Sequence, residues 1–168
     1  MPQHTVQEVV DFAKEILDLW GPHVVLGISD EISPPGDIEK ESVFVSPMID
    51  FLETQEGIDG NQVGVVGWSL GGYYAPRSAA FEKRIKFAVA WGANHNWAEV
   101  QVGRRQREGE NPVPHYWDHV YWVWGVDGID EFMEVTKGMH LNGVAEKIEC
   151  PLLITHGAND RQINVKYA

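Results

Sequence analysis

The chain has 168 residues, enough for one domain with a real core, and 43% of them are apolar. Its formal net charge of −12, from 25 acidic against 13 basic residues, argues against nucleic acid and against anionic membrane surfaces as partners. The lone Cys150 excludes a disulfide framework, no apolar run approaches the roughly 20 residues that span a bilayer, and Met1-Pro2-Gln3-His4 lacks the basic and apolar regions of a secretion signal, so a soluble cytoplasmic protein is expected.

Thr5-Val6-Gln7-Glu8 has the pattern of a capping box, and Val6, Val9, Val10, Ala13, Ile16, Leu17 and Trp20 follow at helical spacing, which predicts a helix ended by Gly21-Pro22. A short buried strand is expected over 24–28 and a loop at Ser33-Pro34-Pro35-Gly36. A second helix is expected over 41–55, with Val45, Met48, Ile49 and Leu52 on one face and Pro47 inside it as a bend. Asp59-Gly60 turns the chain into a strand over 62–67, then a helix runs over 70–80 and a strand over 85–91. Residues 94–146 break this rhythm with aromatics, Gly and Pro, and show one clear helix near 129–139. The basic run Arg104-Arg105-Gln106-Arg107, followed at once by Glu108 and Glu110, reads as a solvated loop. A last strand over 152–155 follows Pro151. Strands alternating with helices imply a mostly parallel sheet wound on both faces, and no internal repeat interrupts it.

The most specific local pattern is Val63-Gly64-Val65-Val66-Gly67-Trp68-Ser69-Leu70-Gly71-Gly72, an apolar strand running through G-x-S-x-G into a helix. A serine at the tip of so sharp a turn must adopt strained dihedrals, and the residues two positions either side, Gly67 and Gly71, are expected to be small because a Cβ there meets the adjoining strand or helix. In a parallel sheet, catalytic groups gather beyond the carboxyl ends of the strands. Three loops leave such ends here: the turn after Gly67, the loop after Trp91, and His156-Gly157-Ala158-Asn159-Asp160. Asp160 has the place and chain order of an acid that orients a histidine; its bland reading is an Asx-turn residue capping the following segment.

Other candidates are weaker. Glu99 is a possible auxiliary acid, against a solvated carboxylate, and His95 a possible base, against a satisfied loop histidine. His156 reads as structural. Trp117, Trp122 and Trp124, with Tyr116 and Tyr121, form an aromatic cluster that is either lid core or the wall of a pocket for a ring-bearing or polyketide acyl group. His115, Asp118 and His119 have i, i+3, i+4 spacing, but a zinc site needs further ligands and a supporting shell that the sequence does not offer, so no metal and no cofactor is expected.

Gly67-Trp68-Ser69-Leu70-Gly71-Gly72-Tyr73-Tyr74-Ala75, with Ala79-Ala80-Phe81-Glu82 and Trp91-Gly92, resembles the nucleophile elbow of the α/β-hydrolases. The branch it is most similar to holds the FrsA-like esterases, dihydroxypseudooxynicotine hydrolase and fungal polyketide-shortening hydrolases. Val144-Ala145-Glu146-Lys147-Ile148-Glu149-Cys150-Pro151 leading into 156–160 resembles the segment that delivers that family's catalytic Asp. The likeness covers residues 42–168. It implies a partial α/β-hydrolase core, residues 1–168 forming one incomplete domain with an unassigned segment 1–41 and a helical, aromatic lid insert 94–146. It further implies a serine hydrolase acting on an ester or a ketone C–C bond of a small-molecule substrate, often as a homodimer. Ser69 is then the nucleophile, the Leu70 N–H one oxyanion donor, and Asp160 the acid. The family's histidine lies some tens of residues beyond the Asp, whereas residues 161–168 contain none, and the oxyanion loop before the elbow is not recognisable in 1–41. Impaired activity of a truncated copy is therefore expected; the alternative is a catalytically silent homologue serving as a binding or dimerisation module.

Overall fold

A computed structural model describes residues 45–107 and 113–168. The helix expected over 5–20 and the strand over 24–28 lie outside the described residues. The chain enters through helix α1 (Val45–Glu53), whose Val45, Ile49 and Leu52 recur at helical spacing and are buried. Asp59 caps a short 3₁₀ turn (Gly60–Gln62) by accepting the Asn61 N–H, and strand β1 (Gly64–Trp68) follows. Helix α2 (Gly71–Phe81) then crosses to β2 (Phe87–Trp91), and a three-helix excursion leads to β3 (Leu152–Thr155). The three described strands are parallel in the order β1-β2-β3, with Gly67 opposite Ala90 and Ala90 opposite Ile154. Connections long enough to carry helices are what parallel strands require.

Alternation along the strands sorts the sheet into two faces. Val65 and Ala88 turn to one side and pack with Ala75, Ala79 and Ile85 and with Val45 and Ile49 of α1. On the other side Val66, Trp68, Phe87 and Trp91 are exposed, and the Trp68 and Trp91 rings face each other across the strands at 6.4 Å. Among the described residues, helices α1 and α2 thus cover the Val65 face.

Among its described residues, the excursion between β2 and β3 contains three α-helices where the sequence pattern shows one. Helix α3 (Trp97–Gln106) starts at Asn96, whose side chain accepts the Glu99 N–H. Helix α4 (Tyr116–Trp124) is apolar at most positions, so it presents no stripe to betray its period; Gly125 at φ 63° ends it. Helix α5 (Ile129–Thr136) stops short of the expected 139 because the chain tightens there, Met139 N–H donating to the Thr136 carbonyl at 2.8 Å. The basic run 104–107 is not a loop: Arg104 and Arg105 sit in the last turn of α3, where cations favour the helix dipole.

These helices build a second core against α2, with Tyr73, Tyr74, Trp97, Val100, Trp124, Phe132 and Met139 buried together. Helix α2 is therefore enclosed, Gly71 to Ala80 being buried on every side. A polar clamp fixes its far end. Arg84 binds Asp50 of α1 at 2.6 Å and Glu82, the α2 C-cap, at 2.8 Å, and its hydrogen bonds hold the Glu82 carboxyl down at about 2. No described helix is long and apolar enough to cross a membrane.

Candidate active site

Ser69 stands between the end of β1 and the start of α2 with φ 59°, the left-handed region that costs a residue with a Cβ on the order of 1 kcal/mol or more. The surrounding backbone holds it there. Its N–H donates to the Trp91 carbonyl at the end of β2 (3.0 Å), and its carbonyl accepts the Gly72 N–H (2.8 Å). Glycines make this approach possible. A Cβ on Gly67 would lie 1.9 Å from the Gly71 carbonyl oxygen and 2.8 Å from the Ala75 Cβ; one on Gly72 would lie 2.7 Å from the Gly92 carbonyl oxygen. Gly71 departs from the expectation: a Cβ there meets nothing within 4 Å, and it enters the motif's sterics only through its carbonyl, which any residue would carry and which crowds Gly67. The helix-side glycine under steric demand is Gly72.

Ser69 is exposed, and it opens on a cavity of about 230 Å³. Leu70 lies beside it at the N-terminus of α2, where unpaired N–H groups and the helix dipole favour negative charge. The opposite walls come from the excursion and from the loop after β3: Trp97 and Arg104 of α3, Tyr116, His119 and Trp124 of α4, and Gln162 and Ile163. The excursion thus faces the serine with aromatic side chains.

The three expected indoles divide. Trp124 is buried and lines the cavity; Trp117 packs against Phe132, Tyr121 and Tyr116 in the second core; Trp122 is 68% exposed. At about 100° per residue, Trp117 and Trp124, seven positions apart, share the inward face of α4 and both meet Phe132, whereas Trp122 is turned about 140° away from Trp117.

The other candidates lie outside this wall. His95 places Nδ1 2.8 Å from the Tyr167 carbonyl and its ring against Tyr167. Glu99 accepts hydrogen bonds from Lys166 Nζ (3.1 Å) and the Tyr167 hydroxyl (3.0 Å), which hold its carboxyl below the ordinary range. Asp160 uses Oδ1 to accept the Gln162 and Ile163 N–H groups at 2.7 and 3.0 Å, an Asx turn that sets those two residues in the cavity wall. Its Oδ2 lies 3.9 Å from Nε2 of His156, which is buried and meets the Ile163 carbonyl at 2.8 Å instead.

Two cavity residues escape sequence reasoning. His119 lies in an i, i+3, i+4 pattern that suggests metal, yet His115 and Asp118 pair with each other at 3.5 Å and His119 turns to the cavity. Among the described residues no group of three or more His, Cys, Asp or Glu side chains is placed to hold a metal ion. Arg104 is hidden in a run of basic residues; only the helical register of α3 separates it from its exposed neighbours.

A parallel sheet whose first described strand runs into a left-handed serine and then a buried helix defines an α/β-hydrolase core. Residues 45–168 match the prolyl oligopeptidase family, and the chain belongs to it. It is 32% identical over 126 residues to 2,6-dihydropseudooxynicotine hydrolase of Paenarthrobacter nicotinovorans, covering 74% of this chain and 31% of that protein. It is 27% identical over 174 residues to the serine hydrolase BPHL of Mus musculus, covering 89% of this chain and 58% of that protein. The crystal structure of 2,6-dihydroxy-pseudo-oxynicotine hydrolase superposes with a TM-score of 0.63 at 29% identity, over 80% of this chain and 35% of that one. The chain thus spans about a third to three-fifths of the length of these curated relatives. It is an enzyme-family chain of the hydrolase type.

Proposed function

We propose that Ser69 is the nucleophile of a serine hydrolase that attacks the carbonyl of a small-molecule substrate, an ester or a C–C bond beside a ketone. The observation that carries this reading is the left-handed Ser69 at the mouth of an aromatic cavity. The Leu70 N–H supplies one oxyanion donor, since it begins α2 beside Ser69. Asp160 is the orienting acid; its Oδ1 is committed to the Asx turn, which leaves Oδ2 for an imidazole N–H. The helices of 94–146 act as the lid.

Among the described residues no histidine hydrogen-bonds the Ser69 hydroxyl, and serine at its ordinary pKa needs a base at about 2.6–3.2 Å. Weak turnover by the 168-residue chain follows, because loss of one triad member leaves roughly 10³–10⁴-fold over water. The test is fluorophosphonate labelling and hydrolysis of an activated aryl ester by the purified chain, beside Ser69→Ala. Slow labelling confined to Ser69 is expected, and a chain that never labels there sinks the nucleophile. Brisk turnover abolished by His119→Gln would overturn the expectation of weak activity and make His119 the base.

A further inference from the structure

We propose that the cavity beside Ser69 selects substrates bearing a small anionic group, a carboxylate or its equivalent, through the guanidinium of Arg104. The proposal deepens the hydrolase reading and rests on it for calling the bound molecule a substrate.

The charge distribution is the first ground. Acidic residues outnumber basic ones 25 to 13 in the chain, yet among the described residues no Asp or Glu lines this cavity, while the basic side chains of Arg104 and His119 do. Arg104 is half-buried, and among the described residues no carboxylate pairs with it. A guanidinium shielded from water without a counter-charge is costly, and an anionic ligand removes that cost.

The second ground is how the group is held. Arg104 lies over the Tyr116 ring, 4.1 Å from its centroid, and Nη1 donates to Gln162 Oε1 at 2.6 Å. Tyr116 is itself fixed by donating its hydroxyl to Gln101 Oε1 at 2.6 Å. Held over that ring and tethered at one nitrogen, the guanidinium has little freedom to turn away, which suits capture of a carboxylate.

The third ground is a further donor beside Arg104. Gln162, also in the cavity wall, spends its side-chain oxygen on Arg104, which leaves its amide nitrogen to donate to an anionic ligand. The volume of about 230 Å³ lies below the range of about 300–1,000 Å³ usual for drug-sized ligands, so the acid it takes is small.

The experiment is isothermal titration of the 168-residue chain with 3-phenylpropanoate and with its neutral isostere 3-phenylpropanamide. The acid should bind at least about tenfold tighter than the amide, and Arg104→Gln, checked for folding by circular dichroism, should bring the two together. Equal binding of acid and amide to the wild type, binding of neither, or a preference that survives Arg104→Gln overturns the proposal. The wild-type comparison decides even where the variant does not fold. Fluorophosphonate labelling separates this from the nucleophile: the acid, and not the amide, should protect Ser69. A chain that prefers the acid but never labels at Ser69 keeps the anion site and loses the serine hydrolase.

Discussion

The two flanks of helix α2 are built on opposite principles. Toward the sheet the contacts are made by glycine and alanine, Gly67 against the Gly71 carbonyl and Ala75 and Ala79 against Val65 and Ala88, so backbone approaches backbone. Toward the excursion the contacts are made by rings, with Tyr73, Tyr74, Trp97, Trp124 and Phe132 filling the space. The small-residue flank fixes where Ser69 is; the aromatic flank shapes what reaches it. A steric fault on the first has no side chain able to yield, whereas one on the second is spread over many rotatable groups.

Gly67→Val is the largest expected effect and breaks the first flank. The new Cβ alone falls 1.9 Å from a backbone oxygen, and the nearest side chain, the methyl of Ala75, has no rotamer to turn away. Overpacking of flexible cores costs about 1–3 kcal/mol, and here backbone must move, so the loss exceeds that range. Urea unfolding followed by circular dichroism should show no cooperative native transition. A variant that unfolds with the wild-type midpoint would mean that α2 is free to retreat from the sheet.

Phe132→Ala tests the second flank. Phe132 is fully buried and meets Trp117, Tyr121 and Trp124 edge-on at 6.0, 6.5 and 5.5 Å. Truncation should cost about 3–5 kcal/mol, smaller than Gly67→Val because neighbouring rings relax into part of the space. The readout is the urea midpoint at an unchanged slope. A cost below about 1 kcal/mol would show that the excursion is not part of the cooperative unit.

The difference between the flanks also explains what was legible in the sequence. The glycine-flank elements, the strands near 64–68 and 152–155 and the turn at Ser69, were readable because close backbone approach admits few residue types, and those types announce themselves at fixed spacing. The excursion was not, because α4 is aromatic on nearly every side and its burial follows from a partner, not from its own period. Trp124 and Trp122 are two residues apart and alike in type, yet one lines the cavity and the other is exposed. Arg104 was obscured in the same way: composition made the basic run a solvated stretch, and only the register of α3 turns one of its members inward. Asp160 was legible as an Asx-turn residue, because a carboxylate two residues before Gln162 can accept the following backbone N–H groups, and Oδ1 does so.

Gly71→Ala is the smallest expected effect and the one that most sharpens the account of the small-residue flank. The G-x-S-x-G spacing suggests that Gly71 is glycine for the same reason as Gly67, yet the two differ in what surrounds them. Gly67 has its Cβ direction blocked by the Gly71 carbonyl, while a Cβ on Gly71 meets nothing within 4 Å. Nor does its backbone ask for glycine, since Gly71 is the first residue of α2 and is not among the positive-φ glycines, which are Gly57, Gly92, Gly125 and Gly143 among the described residues. Alanine is favoured over glycine by up to about 1 kcal/mol within a helix and less at its first turn, and it also restricts the unfolded chain. The two terms act in the same direction, so Gly71→Ala should leave the unfolding free energy, read from the urea midpoint, unchanged or raise it by less than about 1 kcal/mol. Gly72→Ala is the control: its Cβ falls 2.7 Å from the Gly92 carbonyl oxygen, so it should destabilise where Gly71→Ala does not. If the two variants melt alike, the close approach of α2 to the loop after β2 is not what holds Ser69 in its left-handed turn.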